Sequence, residues 1–234
     1  MGLEFYFRWL SIVLIDLSLA GDNALVIGMA VRTLPRRQQR LGIFFGTFGA
    51  VALRVTLTFI IAQLLMIPLL QALGGLILVW IALRLLRQNP GGEGMAREGT
   101  TSGEAIRIII LADIIMSLDN MLAIAAASHG NLFLLIFGLG LSIPILMVGA
   151  AFIAWLMNKY PWLVFLGAAI LGWVAGEMLV KDRIVHGWIA PYGDFLKWFL
   201  PAFLALAVVA IGLWWARRMR YSAEEAAVAQ HKHH

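Results

Sequence analysis

Four aspartates and two asparagines stand inside apolar runs of this chain, in two copies of one pattern. Asp16-Leu-Ser-Leu-Ala-Gly-Asp22-Asn23 and Asp113-Ile-Ile-Met-Ser-Leu-Asp119-Asn120 both read Asp, five residues, Asp-Asn. A charged carboxylate at bilayer depth costs about 2.5–3.5 kcal/mol even on lenient insertion scales, so four cost about 10–14 kcal/mol if simply added. Protons, basic partners or a bound cation must offset that. Carboxylate and amide oxygens are hard ligands, suited to Mg2+, Ca2+ and Mn2+ more than to Zn2+ or Cu+. Six such side chains, Asp16, Asp22, Asn23, Asp113, Asp119 and Asn120, approach an octahedral oxygen shell, with backbone carbonyls or water completing it.

Helical spacing puts Asp16 and Asn23 on one face, two turns apart, and Asp113 and Asn120 likewise. Asp22 and Asp119 sit about 100° round from their Asn neighbours, so a straight helix cannot aim all three groups of a copy at one ion. Gly21 suits a local break before Asp22, where the second copy has Leu118. Met116 shares the face of Asn120. A thioether there would favour Mn2+ over Mg2+, although a Met in an apolar helix is more often packing filler. Arg54 and Arg84 are the basic residues that could pair with the aspartates, and Arg54 could also act as a fixed internal cation. Glu177 is a fifth acid within an apolar run. Two readings of it stand level: a proton carrier, or the partner of Lys181 four residues on.

The elements that must position these groups are apolar helices. Of 234 residues, 62% are hydrophobic and 13% charged, with a mean hydropathy of +0.87. A soluble domain carries about a quarter charged residues. The bilayer is the expected solvent. The net charge of +5 lies in short segments between apolar runs, a membrane-loop pattern that argues against a nucleic-acid partner. Without cysteine, thiolate metal sites and disulfides are excluded. Asp16 and Asp22, with no basic stretch before them, argue against a signal peptide. Seven spans are expected, near Trp9–Val31, Leu41–Met66, Leu69–Leu86, Ala105–Ser128, Leu132–Met157, Trp162–Val180 and Trp198–Ala216. Pro68, Pro161 and Pro201 punctuate segment edges, and Pro144 predicts a kink in the fifth span.

Arg32, Arg36, Arg37 and Arg40 crowd the first connection, Arg87 and Arg97 the third, Lys159 the fifth, and Arg217, Arg218 and Arg220 the C-terminal tail. The positive-inside rule then places the N-terminus outside and the C-terminus in the cytoplasm. A second repeated pair, Leu73–Trp80 and Leu166–Trp173, follows the acidic motifs in the same order. Each half holds three spans, so the second half enters from the opposite side, an inverted repeat of the kind many secondary transporters use. The expected fold is an all-α membrane protein of seven transmembrane helices: an inverted 3+3 repeat plus one extra C-terminal helix. The divisions are 1–87 for the first repeat, 88–104 for a flexible cytoplasmic linker, 105–181 for the second repeat, 182–216 for a loop and seventh helix, and 217–234 for a basic tail. The His231-Lys-His-His end is expected to be disordered.

The runs Ser18–Asn23 and Ser117–Asn120, at this separation and over roughly Trp9–Leu179, resemble the TerC family of integral membrane proteins, in its shorter bacterial form without an appended soluble domain. The resemblance implies export of Mn2+ across the bacterial inner membrane, with the six aspartates and asparagines as ligands. Ca2+ and Mg2+ remain alternatives from the residues alone. With no Gly-x-x-x-x-Gly-Lys-Ser/Thr motif, proton antiport is the expected energy source, and no resident cofactor or enzymatic activity is expected. A homo-oligomer is compatible with this reading. The alternative is a metal-binding membrane partner that does not transport, linked to tellurium resistance or secretion.

Overall fold

The computed structural model describes residues 21–58, 60–64, 66–87, 101–128, 132–189 and 195–231. These residues form helices and turns, with no strand among them. In chain order the helices are α1 (Gly21–Val31), α2 (Arg36–Thr58), α3 (Ile61–Leu64), α4 (Leu70–Arg87), α5 (Ser102–Ser128), α6 (Leu132–Lys159), α7 (Leu163–Lys181), α8 (Arg183–Ile189) and α9 (Phe195–His231). A helix satisfies its backbone polar groups internally, which is what a chain in hydrocarbon requires. Five of the described helices, α2, α4, α6, α7 and α9, are long and apolar enough to cross a bilayer. The other two expected spans correspond to α1, described only from Gly21, and α5. The latter has 27 residues and carries Glu104, Arg107, Asp113 and Asp119.

Small residues set the packing, as expected where lipid offers no hydrophobic drive between helices. Gly28 of α1 lies against Ile153 of α6, while Gly46 and Gly49 of α2 lie against Ile109 and Ile110 of α5. Gly74 of α4 meets Ile115 of α5 and Met178 of α7, and Gly167 of α7 meets Leu25 and Met29 of α1. The α7–α9 contact is the closest. A Cβ on Gly176 would fall 2.3 Å from the Pro201 Cα, and one on Gly172 would fall 2.9 Å from the Ala205 Cα. The core is aliphatic, built from Met29, Leu78, Ile81, Leu85, Ile109, Met121 and Leu171. Outward faces carry large apolar groups, such as Phe44, Phe48, Val148, Phe152, Phe203 and Leu206.

The arginine-rich turns gather at one end of the bundle. Arg32, just beyond α1, donates towards the Leu85 carbonyl at the end of α4, and the Asn158 amide near the end of α6 donates to the Arg32 carbonyl at 3.0 Å. Burial pushes the Arg32 guanidinium down to about 10, which leaves it charged at neutral pH. Arg84 pairs with Glu104 at the start of α5, and Arg87 lies over the Trp215 ring of α9. Exposed Trp155, Tyr160, Trp162 and Trp214 ring this end, and Trp188 and Trp198 the other, as interfacial aromatic belts do.

Several elements differ from the sequence expectation. The second span ends at Thr58 and resumes as the four-residue α3. Thr56 and Thr58 donate back to the Ala52 and Arg54 carbonyls, a bonding that weakens a helix near its end. Pro201 lies inside α9, at the contact with α7, rather than at a segment edge. The tail is helical as far as His231, because its Ala- and Glu-rich sequence extends α9. The connection after α7 contains α8. Its start is capped by Asp182, which accepts from the amides of Ile184 and Val185 and, through its other oxygen, from that of Ala72. Most of the expected linker, residues 88–100, lies outside the described residues.

Candidate metal centre

A cavity of about 130 Å³ lies between α1, α5 and α7. Its walls carry Asp22 and Asn23 from α1, Met116 and Asn120 from α5, and Glu177, Met178 and Lys181 from α7. Each is there for a local reason. Gly167 of α7 lies against Leu25 and Met29 of α1, and Gly74 of α4 lies against both Ile115 of α5 and Met178 of α7, so small residues set α1, α5 and α7 around one space. On α5, Met116 and Asn120 are one turn apart on a single face. On α7, Glu177 and Lys181 are likewise one turn apart, with Met178 beside them.

Both Asp-Asn motifs reach this cavity, through Asp22 and Asn23 from the first copy and Asn120 from the second. Asn23 is 3% exposed, and neither its amide nitrogen nor its carbonyl oxygen has a hydrogen-bond partner among the described residues. A buried amide with no partner is unusual enough to call for an ion or water in the adjoining space. Glu177 accepts a hydrogen bond from the Trp173 indole at 2.8 Å and pairs with the Lys181 ammonium at 3.3 Å. It is about half exposed, so that pair is weak. Of the two readings of Glu177, the pairing with Lys181 is seen, and the carboxylate also lines the cavity.

Asp113 does not line the cavity. It forms a buried ion pair with Arg54 of α2, one turn below Met116. Of the two basic candidates, Arg54 has an aspartate partner, while Arg84 has Glu104. Asp16 and the side chain of Asp119 lie outside the described residues. Among the described residues no group of three His, Asp or Glu side chains is close enough to hold a metal. The described oxygen donors at the cavity are instead two carboxylates, Asp22 and Glu177, and two amides, Asn23 and Asn120, beside the thioether-bearing Met116 and Met178.

Sequence reasoning placed the first and fourth spans face to face and overlooked the part of α7. Met178 and the cavity position of Lys181 were missed. The available signal was the acidic residue Glu177 within an apolar helix, with Met178 next to it.

The comparisons with known proteins agree with the helical membrane architecture. The chain is 40% identical to the uncharacterized membrane protein YjbE of Bacillus subtilis over 210 residues, covering 88% of this chain and 95% of YjbE. It is 30% identical to the uncharacterized membrane protein YkoY of the same organism, covering 89% and 72% respectively. It is 25% identical to the inner membrane protein YgdQ of Escherichia coli, covering 88% and 92%. No solved structure matches. The family model for the integral membrane protein TerC family matches residues 1–220, which include both acidic motifs and reach into α9, and the chain belongs to that family.

Proposed function

We propose that this chain is a secondary transporter that exports a divalent metal cation, Mn2+ first among candidates, by alternating access with protons moving the other way. The observation that carries the reading is the convergence of Asp22, Asn23 and Asn120, taken from both motifs, on one cavity that also receives Glu177 and Met116. Oxygen donors with a neighbouring thioether suit Mn2+ better than Mg2+ or Ca2+.

The helix packing supports an inverted repeat. Exchanging α1 with α5, α2 with α6 and α4 with α7 carries the α2–α5 contact onto the α6–α1 contact, and the α4–α5 contact onto α7–α1. All four are occupied. The α4–α7 and α2–α6 contacts map onto themselves, as contacts across a pseudo-two-fold axis must. Within this reading α1 and α5 cross the membrane and bring the count to seven. Asp16 and Asp119 then complete the oxygen shell. The basic end faces the cytoplasm, and the cavity, whose rim holds Lys181 at the far end of α7, opens to the outside.

Moving a 2+ ion out against 100 mV costs about 4.6 kcal/mol. Exchange for two protons removes that electrical term. Metal ligands must be deprotonated, so protons and Mn2+ compete for Asp22 and Glu177. The test is Mn2+ flux in proteoliposomes of the purified chain. A proton gradient directed from the cavity face to the basic face should accelerate Mn2+ flux from the basic face to the cavity face. Flux that ignores the proton gradient overturns antiport, and no flux for Mn2+, Ca2+ or Mg2+ overturns transport.

A further inference from the structure

The cavity is walled by the exposed Glu177–Lys181 pair at the end of the bundle away from the arginine-rich turns, and the polar groups beneath it mark where the other half of a pathway would run. On α5, Asp113, Met116, Ser117 and Asn120 form one stripe, since they lie three, four and seven residues from Asp113. Met116 and Asn120 face the cavity. Asp113 lies one turn nearer the basic end and meets Arg54 of α2, both almost fully buried. Thr47 lies two turns from Arg54 on the same face of α2, again towards the basic end. The two helices run side by side in the same direction, Gly46 against Ile109 and Arg54 against Asp113. The order from the basic end is therefore Thr47, the ion pair, and then Ser117 at the level of the cavity floor.

Thr47 and Ser117 are each completely buried, and neither hydroxyl has a hydrogen-bond partner among the described residues. With Asn23 they put three polar side chains without partners among the described residues near one ion pair, beside a largely aliphatic core. Leaving such a group dry costs about 1–3 kcal/mol. Hydroxyls at these positions are poorly explained by packing, which Ala or Val would serve. They are well explained if water or a hydrated ion reaches them in another state. A buried Arg–Asp pair costs several kcal/mol per ion to desolvate and is weak evidence for stability, but it suits an element that must hold two helices together and then release them.

We propose that the second half of the transport pathway runs between α2 and α5, lined by Ser117 and Thr47, and that the Arg54–Asp113 pair is the gate that closes it while the cavity is open at the other end. This rests on the transport reading and deepens it. A metal on its way out enters from the basic end; its charge approaches Asp113, competes with the guanidinium, and parts α2 from α5. The gate is thereby tied to the presence of a cation.

The chain contains no cysteine, so single thiols report alone. Ser117→Cys and Thr47→Cys are made in the full-length chain and reconstituted. Each is exposed to a small membrane-impermeant methanethiosulfonate reagent applied at the basic end. In the native background both thiols should react slowly. The neutral pair Arg54→Gln with Asp113→Asn should raise both rates by roughly tenfold or more, the change that about 1.4 kcal/mol of lost closure produces. Arg54→Lys, which keeps the charge pair, should leave both rates low. Ala168→Cys, at a completely buried apolar position of α7, should stay unreactive throughout. Unchanged rates at Thr47→Cys and Ser117→Cys overturn the gate. So does an equal rise at Ala168→Cys, because it shows a loosened bundle.

A second measurement leaves the ion pair intact. Mn2+ supplied at the basic end should speed labelling of Thr47→Cys from that same end. If the neutral pair opens the path and Mn2+ does not, the gate stands and the choice of cargo falls, so the two readings fail separately.

Discussion

Arg54 and Asp113 meet across the α2–α5 interface with side chains 3% and 5% exposed, although Asp113 opens the second of two motifs whose composition suits a metal shell. Its counterpart in the first motif is Asp16. The ion pair makes the halves unequal: one acid of the second copy is committed to a guanidinium just below the cavity. Breaking a buried pair by removing one partner leaves an uncompensated charge, at a cost of about 3–5 kcal/mol, whereas replacing both partners with apolar groups of similar volume is often neutral. Arg54→Met alone should therefore lower the unfolding midpoint in detergent sharply. Adding Asp113→Leu should recover most of the loss. A single variant as stable as the native chain would mean that the pair is relaxed by water.

Asp22 and Asp113 are predicted to part company in metal binding. Asp22 lines the cavity and Asp113 does not. Asp22→Asn removes a negative charge at the ion and should weaken Mn2+ binding by roughly tenfold or more, equivalent to about 1.4 kcal/mol. Asp113→Asn should weaken it by less, acting through Arg54. Titration calorimetry of the two variants at one pH decides this, and equal losses would return Asp113 to the ligand set.

The apolar helices and the site's α1 and α5 residues were legible in the sequence because hydrocarbon demands long apolar runs and makes any intramembrane acid conspicuous. Asp22, Asn23 and Asn120 could be named from spacing alone. The pairing of Asp113 was not readable. Arg54 lies 59 positions away, and only the crossing of α2 with α5 decides whether an acid meets a base or a cavity. Lys181 and Met178 were hidden for a related reason: helix periodicity says which residues share a face, and packing alone says what that face meets. The end of α2 at Thr58 was also obscured, since hydropathy stays high through Leu64 while the backbone turns.

Gly176 should tolerate no side chain. Its absent Cβ would fall on the backbone of Pro201, which cannot move as a flexible side chain can. Overpacking a well-packed core typically costs about 1–3 kcal/mol, and a backbone clash sits at the upper end of that range or beyond. Gly176→Leu should separate α9 from α7 and lower the thermal midpoint in detergent more than Gly172→Ala does. Because Glu177 adjoins Gly176, metal binding should weaken alongside. A Gly176→Leu chain with an unchanged midpoint would show that α9 docks elsewhere.

Met116 and Met178 approach the cavity from different helices, α5 and α7, and their sulfurs are the soft donors available beside its oxygens. Oxygen ligands alone separate Mn2+ poorly from Mg2+, whereas a thioether weights the choice towards Mn2+. Met116→Leu conserves volume, and such swaps usually cost less than about 1.5 kcal/mol of stability, so a change in binding can be read without a change in fold. The expected result is a loss of selectivity: Mn2+ affinity falls by roughly three- to tenfold, about 0.7–1.4 kcal/mol, while Mg2+ affinity holds. Met178→Leu should behave similarly but more weakly, since Met178 also fills the space over Gly74. Competition binding of Mn2+ against Mg2+ in the two variants measures this directly. Parallel losses for both ions would assign the methionines to packing and leave selectivity to the oxygens of Asp22, Asn23, Asn120 and Glu177.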